Sequence, residues 1–336
     1  MAAVLVVAGI AFAAAQLSGG GDVGSSPTPS APASAGERPS TLLALSVTGS
    51  PNALLATVGS GAGRAPAAFT LANGMTVIAP GQGETATQDV QALAGDSMRI
   101  AVSNAVGAWA LHYAVTDLDH LGAAIDREGG LTVNLGQAYT IRADVLGPGE
   151  TEMTGAQVTA FLSEQADDSD LRWAGVLEAM LANGPALQPG DLTESDDPAA
   201  AGALLQAATG ASVEVGPVQV VAATAMIPLQ PDFDALVGEL FGAATPVRVD
   251  VRNGTGAPGV GEAAARLLIP AGFRVVLSGN AESFDHTTTE VIATGDAHQA
   301  DAERARQALG VGTVEVSQVP SGVAEVTVVV GKDFEG

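Results

Sequence analysis

Hydrophobic and polar positions divide the chain into four segments of different pattern. Residues 1–17 are apolar apart from Gln16, and residues 18–40 are rich in Gly, Ser, Pro and Ala without a hydrophobic period. Residues 41–242 alternate short apolar runs with stretches of helical period, and the same alternation resumes over 246–336. The pattern predicts an apolar N-terminal helix, a flexible linker and two folded domains, called here the first and the second domain.

Strands and helices alternate through the first domain. Strands are predicted at 41–48, 52–59, 75–83, 108–115, 131–135 and within 212–227, and helices at 87–106, 117–127, 154–165, 169–183, 199–208 and 232–241. This alternation indicates an α/β domain with a mixed central sheet.

The second domain is shorter and has a different order. Strands are predicted at 247–254, 274–279, 289–295, 313–318 and 324–331, and helices at 261–273 and 299–310. The order β-α-β-β-α-β-β predicts a small α+β domain with its helices on one face of a sheet.

The N-terminal apolar segment is long enough to reach across a bilayer. A helix of residues 1–17 spans roughly 26 Å at about 1.5 Å per residue, against a hydrocarbon layer of about 30 Å. Ala13-Ala14-Ala15 offers a signal-peptidase site, but the positive residues that open a signal peptide are missing, so an uncleaved anchor is favoured. Both a cleaved signal peptide and an uncleaved anchor would lead to export of the rest of the chain. The expected location is the cell membrane, with one membrane pass and extracytoplasmic domains.

Charge and composition exclude several classes of function. With 13 Lys+Arg against 37 Asp+Glu, the net charge is −24, and Lys332 is the single lysine. Nucleic-acid binding is excluded because it needs clustered cations. The absence of cysteine removes disulfides, thiolate nucleophiles and Cys-ligated metals, and the 4 histidines are scattered. No metal site is therefore predicted. The acidic run Asp167–Asp170 could hold Mg²⁺, but it is better explained as the charge complement at a helix N-terminus.

A dinucleotide-binding motif appears in the second domain and is rejected. Residues 254–259 read G-x-G-x-x-G between a predicted strand and a predicted helix. The next strand, however, ends in Leu277-Ser278-Gly279-Asn280 without the acid that binds ribose, and Glu262 would repel a pyrophosphate at the helix N-terminus. The motif is interpreted as a glycine-rich turn.

The second domain carries three motifs in a distinctive order. They are VRVDVRNGTGAPGVG from residue 247, GEAAARLLIPAGF from residue 261 and VTVVVGKDF ending at residue 334. In this order they resemble the C-terminal domain of LytR-type cell-envelope proteins, a domain that ordinarily follows a LytR-CpsA-Psr domain.

The first domain resembles that LytR-CpsA-Psr family as a diverged member. The similar segments are 38–42, 77–83, 112–135, 149–161 and 172–180. The resemblance implies an α/β fold and, in active members, transfer of a glycopolymer from polyprenyl pyrophosphate to peptidoglycan, with arginines at the pyrophosphate and an acid-held Mg²⁺.

Several charged positions implied by the resemblance carry other residues here. Ser40 replaces the opening Asp, Asn73 and Gly74 replace an Arg-Asp pair, and Ser163 and Gln165 replace two arginines. Arg38 and Arg172 remain and are the predicted ligand-binding residues.

The sequence therefore predicts a membrane-tethered envelope protein with a non-catalytic site. Its expected partners are a polyprenyl-phosphate lipid or a cell-wall polymer, and neither catalytic residues nor a cofactor are assigned. Two alternatives stay open. One is an active phosphotransferase, which would need Mg²⁺, and the other is a purely structural interaction module.

Overall fold

The computed structural model describes most of the two domains. The described residues are 40–49, 54–93, 95–164, 166–184, 187–222, 225–319 and 321–336. The predicted helix at 1–17 lies outside these residues, as do Arg38, Gln165 and all of the predicted linker except Ser40. In the part of the chain that the structure describes, no helix is both long and apolar enough to cross a membrane.

The first domain contains short strands and medium-length helices. Its strands are β1 Thr41–Thr48, β2 Leu54–Gly61, β3 Arg64–Leu71, β4 Thr76–Ala79, β5 Gly83–Ala86, β6 His112–Asp117, β7 Leu131–Leu135, β8 Tyr139–Ile141, β9 Asp144–Leu146, β10 Gly149–Met153, β11 Glu194–Ser195, β12 Ser212–Val215, β13 Val218–Ala222 and β14 Ala225–Pro228. Its α-helices are α1 Thr87–Val90, α2 Gly95–Val106, α3 Leu118–Arg127, α4 Gly155–Ser163, α5 Ser169–Asn183, α6 Pro198–Ala207 and α7 Gln230–Phe241, with a 3₁₀ turn at Pro189–Asp191.

Six of these strands form the central sheet, in the order β11-β6-β1-β2-β3-β12. The β1–β6 and β3–β12 pairs are parallel, whereas β1–β2, β2–β3 and β6–β11 are antiparallel. The mixed central sheet predicted from the sequence is confirmed.

Strand β1 separates two hydrophobic cores. Leu43 and Leu45 point into the core shared with α3, α4, α5 and α6, while Leu42 and Ala44 point into the core shared with α2 and α7. Because successive side chains of a strand face opposite sides, one apolar strand can serve both cores. The domain is a three-layer α/β/α sandwich.

The second domain follows the predicted order. Its elements are β15 Val247–Asn253, α8 Val260–Leu268, β16 Phe273–Asn280, β17 Glu290–Thr294, α9 Gln299–Leu309, β18 Thr313–Ser317 and β19 Val326–Val330, with 3₁₀ turns at Ile269–Ala271 and Asp296–His298. The five strands form one sheet in the order β16-β15-β19-β17-β18.

Two predicted helices differ from the observed ones. The helix predicted at 261–273 ends at Leu268, because Pro270 closes a 3₁₀ turn and Gly272 adopts a left-handed conformation with φ 86°. The helix predicted at 87–106 is the short α1 followed by α2, which begins at Gly95.

Candidate functional site

The predicted ligand-binding residue Arg172 is buried at the first turn of α5, within an ionic cluster whose acidic partners reach the surface. Its side chain is 8% exposed. Nε donates a hydrogen bond to Asp168 Oδ1 at 2.8 Å, and Nη1 donates to Glu164 Oε2 at 2.8 Å and to the Phe161 carbonyl at 3.1 Å. The guanidinium of Arg172 is therefore engaged by two carboxylates of its own domain.

Two aromatic rings hold the guanidinium in place. The central carbon of Arg172 lies 4.7 Å from the ring centre of Tyr139 and 4.8 Å from that of Phe161. The rings meet edge to face with their centres 5.0 Å apart, and the Tyr139 hydroxyl donates to Asp168 Oδ2 at 2.8 Å. Stacking and hydrogen bonding fix both the position and the plane of the guanidinium.

The charges in this cluster stabilise one another. Burial tends to lower the pKa of Arg172, but hydrogen bonds to Glu164 and Asp168 outweigh it and raise that pKa. Burial tends to raise the pKa of Asp168, but hydrogen bonds from Tyr139 and Arg172 outweigh it and lower that pKa. The positive charge is thus compensated before any ligand arrives.

A second contact joins the loop after β3 to α5. The Asn73 backbone N–H and its side-chain amide donate to Asp170 Oδ1 at 2.9 Å and 3.1 Å. Burial raises the pKa of Asp170, and the two hydrogen bonds from Asn73 partly offset the shift. The structure therefore brings Asn73, one of the replaced positions, to the first turn of α5.

The other replaced positions that the structure describes are Ser163, Ser40 and Gly74. The Ser163 hydroxyl donates to the Thr159 carbonyl within its own helix at 2.7 Å. Ser40 is buried at the start of β1, where its backbone N–H donates to the Phe241 carbonyl at 3.1 Å. Gly74 follows Asn73 with φ 73°. These positions do not form a cationic pocket around Arg172.

Other arginines of the first domain also engage acids. Arg99 pairs with Asp96, and Arg127 binds Asp191 through two hydrogen bonds of 2.8 Å and 2.7 Å. Arg142 is exposed in the turn between β8 and β9. A pyrophosphate requires several fixed cations that converge on one point. Arg99, Arg127 and Arg142 do not provide such a cluster.

The acidic run at the start of α5 does not fit a magnesium ion. Asp168 is held by Tyr139 and Arg172, and Asp170 is held by Asn73. Among the described residues, no group of three His, Asp or Glu side chains could hold a metal ion. Mg²⁺ prefers several free carboxylate oxygens at one point.

An apolar cavity lies between the central sheet and α5. One part encloses about 50 Å³ and is lined by Leu45, Leu177, Met180, Leu181, Gly184, Leu187, Leu205, Gln206 and Thr209. An adjoining part of about 10 Å³ shares Leu45, Leu177, Met180 and Leu187 and reaches Trp173. A cavity of this size has room for a few water molecules at most.

Thr209, an exposed residue of the cavity lining, lies at the end of the sheet where β1 begins. It directly precedes the turn that leads into β12. β12 is parallel to β3, and β3 runs in the same direction as β1 because both are antiparallel to β2. The end of α6 and Ser40 therefore lie at the same end of the sheet.

The sequence resemblance proposed Arg172 as a ligand-binding residue, and it did not identify Tyr139 and Glu164, which contact that side chain. The spacing of Asp168 and Arg172, at i and i+4 on one helix, was the available signal for an ion pair. Tyr139 lies on a three-residue strand whose pattern carries no such signal.

Comparison with known families supports the assignment of the second domain. Residues 246–334 match the family model LytR_C, described as "LytR cell envelope-related transcriptional attenuator". The resemblance of the second domain to LytR-type C-terminal domains is confirmed. Comparison with curated proteins gives no match.

Solved structures share the fold of the first domain. TagV of B. subtilis is 14% identical, with a TM-score of 0.50 over 61% of this chain and 96% of that one. The LytR-CPS2A-psr family protein YwtF (TagT) with bound octaprenyl pyrophosphate lipid is 14% identical, with a TM-score of 0.50 over 62% and 92%. TagT bound to LIIa-WTA is 16% identical, with a TM-score of 0.50 over 60% and 90%.

At these identities the similarity concerns the fold. The first domain has the LytR-CpsA-Psr fold, as the sequence resemblance implied. The chain combines this fold with a LytR-type C-terminal domain.

Proposed function

We propose that this chain is a membrane-tethered cell-envelope protein that binds a polyprenyl carrier in its first domain and does not transfer glycopolymer. The apolar cavity beneath α5 is the observation that carries the proposal. Its lining of Leu and Met side chains suits a hydrocarbon chain, and a lipid is bound in the structure of TagT, which has the same fold. Burial of apolar surface contributes about 25 cal/mol per Å².

Lipid binding requires the cavity to open. A space of about 50 Å³ is far smaller than a prenyl chain, so α5 and α6 must move away from β1 when the chain enters. A backbone hydrogen bond from the Gly210 N–H to the Leu181 carbonyl, at 2.6 Å, joins the C-terminal ends of these helices. This end of the cavity is where we expect the lipid to enter.

Loss of transfer activity follows from the charges. Phosphoryl transfer depends on fixed positive charge at the phosphate oxygens, and removal of one such donor typically costs about 10²-fold or more in rate. Arg172 is compensated by Asp168 and Glu164, and Asn73 and Ser163 supply no charge. The site favours binding of the apolar chain with weak selectivity for the headgroup.

The location of the protein is part of the proposal. The apolar residues 1–17 anchor the chain in the membrane, and Ser40, where the described chain begins, lies at the same end of the sheet as the cavity opening. A carrier lipid in the adjacent bilayer would then reach the opening directly. Arg38, two residues before Ser40, is the candidate contact for its phosphates at this end, whereas Arg172 lies at the first turn of α5, beside Asn73, at the opposite end of the sheet.

The test measures binding of octaprenyl pyrophosphate to the full chain in detergent. Native mass spectrometry, with and without Mg²⁺, detects the complex. We expect a 1:1 complex that does not depend on Mg²⁺. Met180→Trp fills the cavity and should weaken binding at least about tenfold, whereas Leu171→Trp, on the exposed face of the same helix, should not. Equal binding by both variants would contradict the proposed site.

A transfer assay separates the alternatives. Peptidoglycan acceptor, carrier-linked glycopolymer and Mg²⁺ should give no transfer above background. Mg²⁺-dependent transfer that Arg172→Ala abolishes would establish the active phosphotransferase instead. If the chain binds no lipid, and neither Arg38→Ala nor Arg172→Ala changes any measured property, the protein would be a purely structural interaction module.

A further inference from the structure

The C-terminus of helix α2 is capped by the second domain. The last turn of α2 contains no basic residue of its own. Arg274 of β16 donates hydrogen bonds to the carbonyls of Asn104, Ala105 and Val106, at 3.2, 3.4 and 3.1 Å. The last carbonyls of a helix lack partners within the helix, and a guanidinium there also complements the helix dipole.

The capping arginine forms a buried ion pair as well. Arg274 Nη1 lies 2.8 Å from Asp234 Oδ1 of α7, and the two side chains are 8% and 11% exposed. Burial lowers the pKa of Arg274, and the charge and hydrogen bond of Asp234 oppose that shift. One side chain of the second domain thus holds two helices of the first.

Gly107 provides the space for this contact. It adopts φ 79° at the end of α2, and a Cβ atom built on it would lie 2.2 Å from Arg274 Nη2. Any other residue would strain the backbone and displace the guanidinium.

Asn104 makes a second buried connection. Its Nδ2 donates to the carbonyls of Val275 and Ile78, at 2.8 Å and 3.0 Å, and its Oδ1 accepts the Val275 N–H at 2.7 Å. The side chain of Asn104 is buried, so these hydrogen bonds are shielded from water.

The core of the second domain is completed by the first domain. Ile100 of α2 is 1% exposed and belongs to the same cluster as Val249, Leu268 and Phe273. Ile78 and Trp109 pack against this cluster as well. Without the first domain, the second would expose part of its apolar core.

Polar contacts surround this buried centre. Arg266 of α8 pairs with Asp96 at 2.6 Å, and the Ser97 hydroxyl donates to Glu262 Oε1 at 2.9 Å. The Gly81 N–H donates to the Ser278 hydroxyl at 2.8 Å. An apolar centre with a polar rim is the arrangement of specific, stable interfaces.

We infer that the two domains form one rigid unit with α2 at its centre, and that Arg274 and Asn104 couple them. Domains joined by a short linker move relative to each other unless their interface is extensive. Here the LytR-type domain acts as a fixed cap on α2. A partner that it binds is consequently held at a set distance from the lipid cavity on the opposite side of the sheet.

The test measures the distance between the domains. Because the chain contains no cysteine, Ala123→Cys on α3 and Gln307→Cys on α9, both exposed, introduce two unique labelling sites in the full chain. Spin labels at these sites should give a single narrow distance distribution by pulsed electron paramagnetic resonance. Adding Arg274→Met should broaden it at least about twofold.

Controls keep the outcome unambiguous. Arg248→Met removes an exposed arginine that pairs with Glu325 within the second domain, and it should leave the distribution narrow. If Arg274→Met does not fold, Asn104→Ala provides the second disruption of the interface. A broad distribution in the parent chain, or one that stays narrow with both Arg274→Met and Asn104→Ala, would overturn the inference.

Discussion

Asp170 accepts two hydrogen bonds from Asn73, one from the backbone N–H at 2.9 Å and one from the side-chain amide at 3.1 Å. The contact fixes the loop after β3 against the first turn of α5. At this position the family resemblance implies a charged pair, whereas this chain has a neutral amide and a half-buried carboxylate. The loop is thus held by these hydrogen bonds together with the burial of Ala72 and Met75.

The two aspartates of this helix turn should respond to pH in opposite directions. The pKa of Asp170 is raised, so its ionisation destabilises the fold and stability is lost as pH rises through the folded-state pKa. Asp170→Asn should therefore gain stability relative to the parent between pH 4 and pH 7. Urea unfolding at the two pH values measures the change.

Asp168 provides the matched comparison. Its pKa is lowered, so the ionised form stabilises the fold above the usual pKa, and that stability is lost as pH falls through the folded-state pKa. Asp168→Asn should cost about 1–3 kcal/mol at pH 7 and at pH 4, and less at pH values well below the usual carboxyl pKa, where Asp168 itself becomes protonated. Parallel pH trends for the two variants would contradict these assignments.

Leu177 should contribute strongly to stability because it lines both parts of the cavity and is 3% exposed. Leu177→Ala enlarges a space that is already present, and we expect a loss of about 2–5 kcal/mol in the free energy of unfolding. Leu171→Ala, 65% exposed on the same helix, should change it by less than about 0.5 kcal/mol. Chemical denaturation of both variants checks the difference.

Alanine substitutions of Gly107 and Gly310 distinguish the stability cost of backbone strain from the cost of losing the interdomain contact. Both glycines end a helix with positive φ, 79° and 75°, but a Cβ at Gly310 would meet nothing within 4 Å. Gly310→Ala should cost about 1–2 kcal/mol from strain alone. Gly107→Ala should cost about 3–5 kcal/mol, because it also displaces buried Arg274 from Asp234. Equal losses in thermal unfolding would show that Arg274 contributes little.

The second domain should fold alone but with reduced stability. Residues 246–336, expressed as a fragment, should melt cooperatively at a lower temperature than the full chain, because Ile100 no longer completes the core. Arg274→Met should be nearly neutral in the fragment, where Asp234 and the end of α2 are absent. A fragment that stays unfolded would show that the boundary at 242–246 is wrong.

The helices and strands that were predicted correctly have a strong hydrophobic period in their sequence. Helix α5 begins and ends at the predicted residues 169 and 183, and the alternating run LTVNL forms β7. Strand β3 was missed because its sequence RAPAAFTL has no clear period, although most of it is buried in the central sheet. Strands β8 and β9 were missed because three residues are too few to show a period.

The site was harder to predict than the fold. Sequence resemblance proposed Arg172, but the position of its guanidinium depends on Tyr139 and Glu164, whose proximity arises only after folding. The role of Arg274 was not predictable either, because its partners Asp234 and Asn104 are distant in sequence. Local patterns report secondary structure, whereas these contacts depend on tertiary packing.

The amide of Asn104 also has a consequence for self-association. Strand β16 is the outermost strand of its sheet, and an uncovered outer strand offers free N–H and carbonyl groups to any other extended chain. Asn104 occupies both groups of Val275, as a neighbouring strand would. Separation of the domains would therefore uncover these groups and create a surface prone to aggregation.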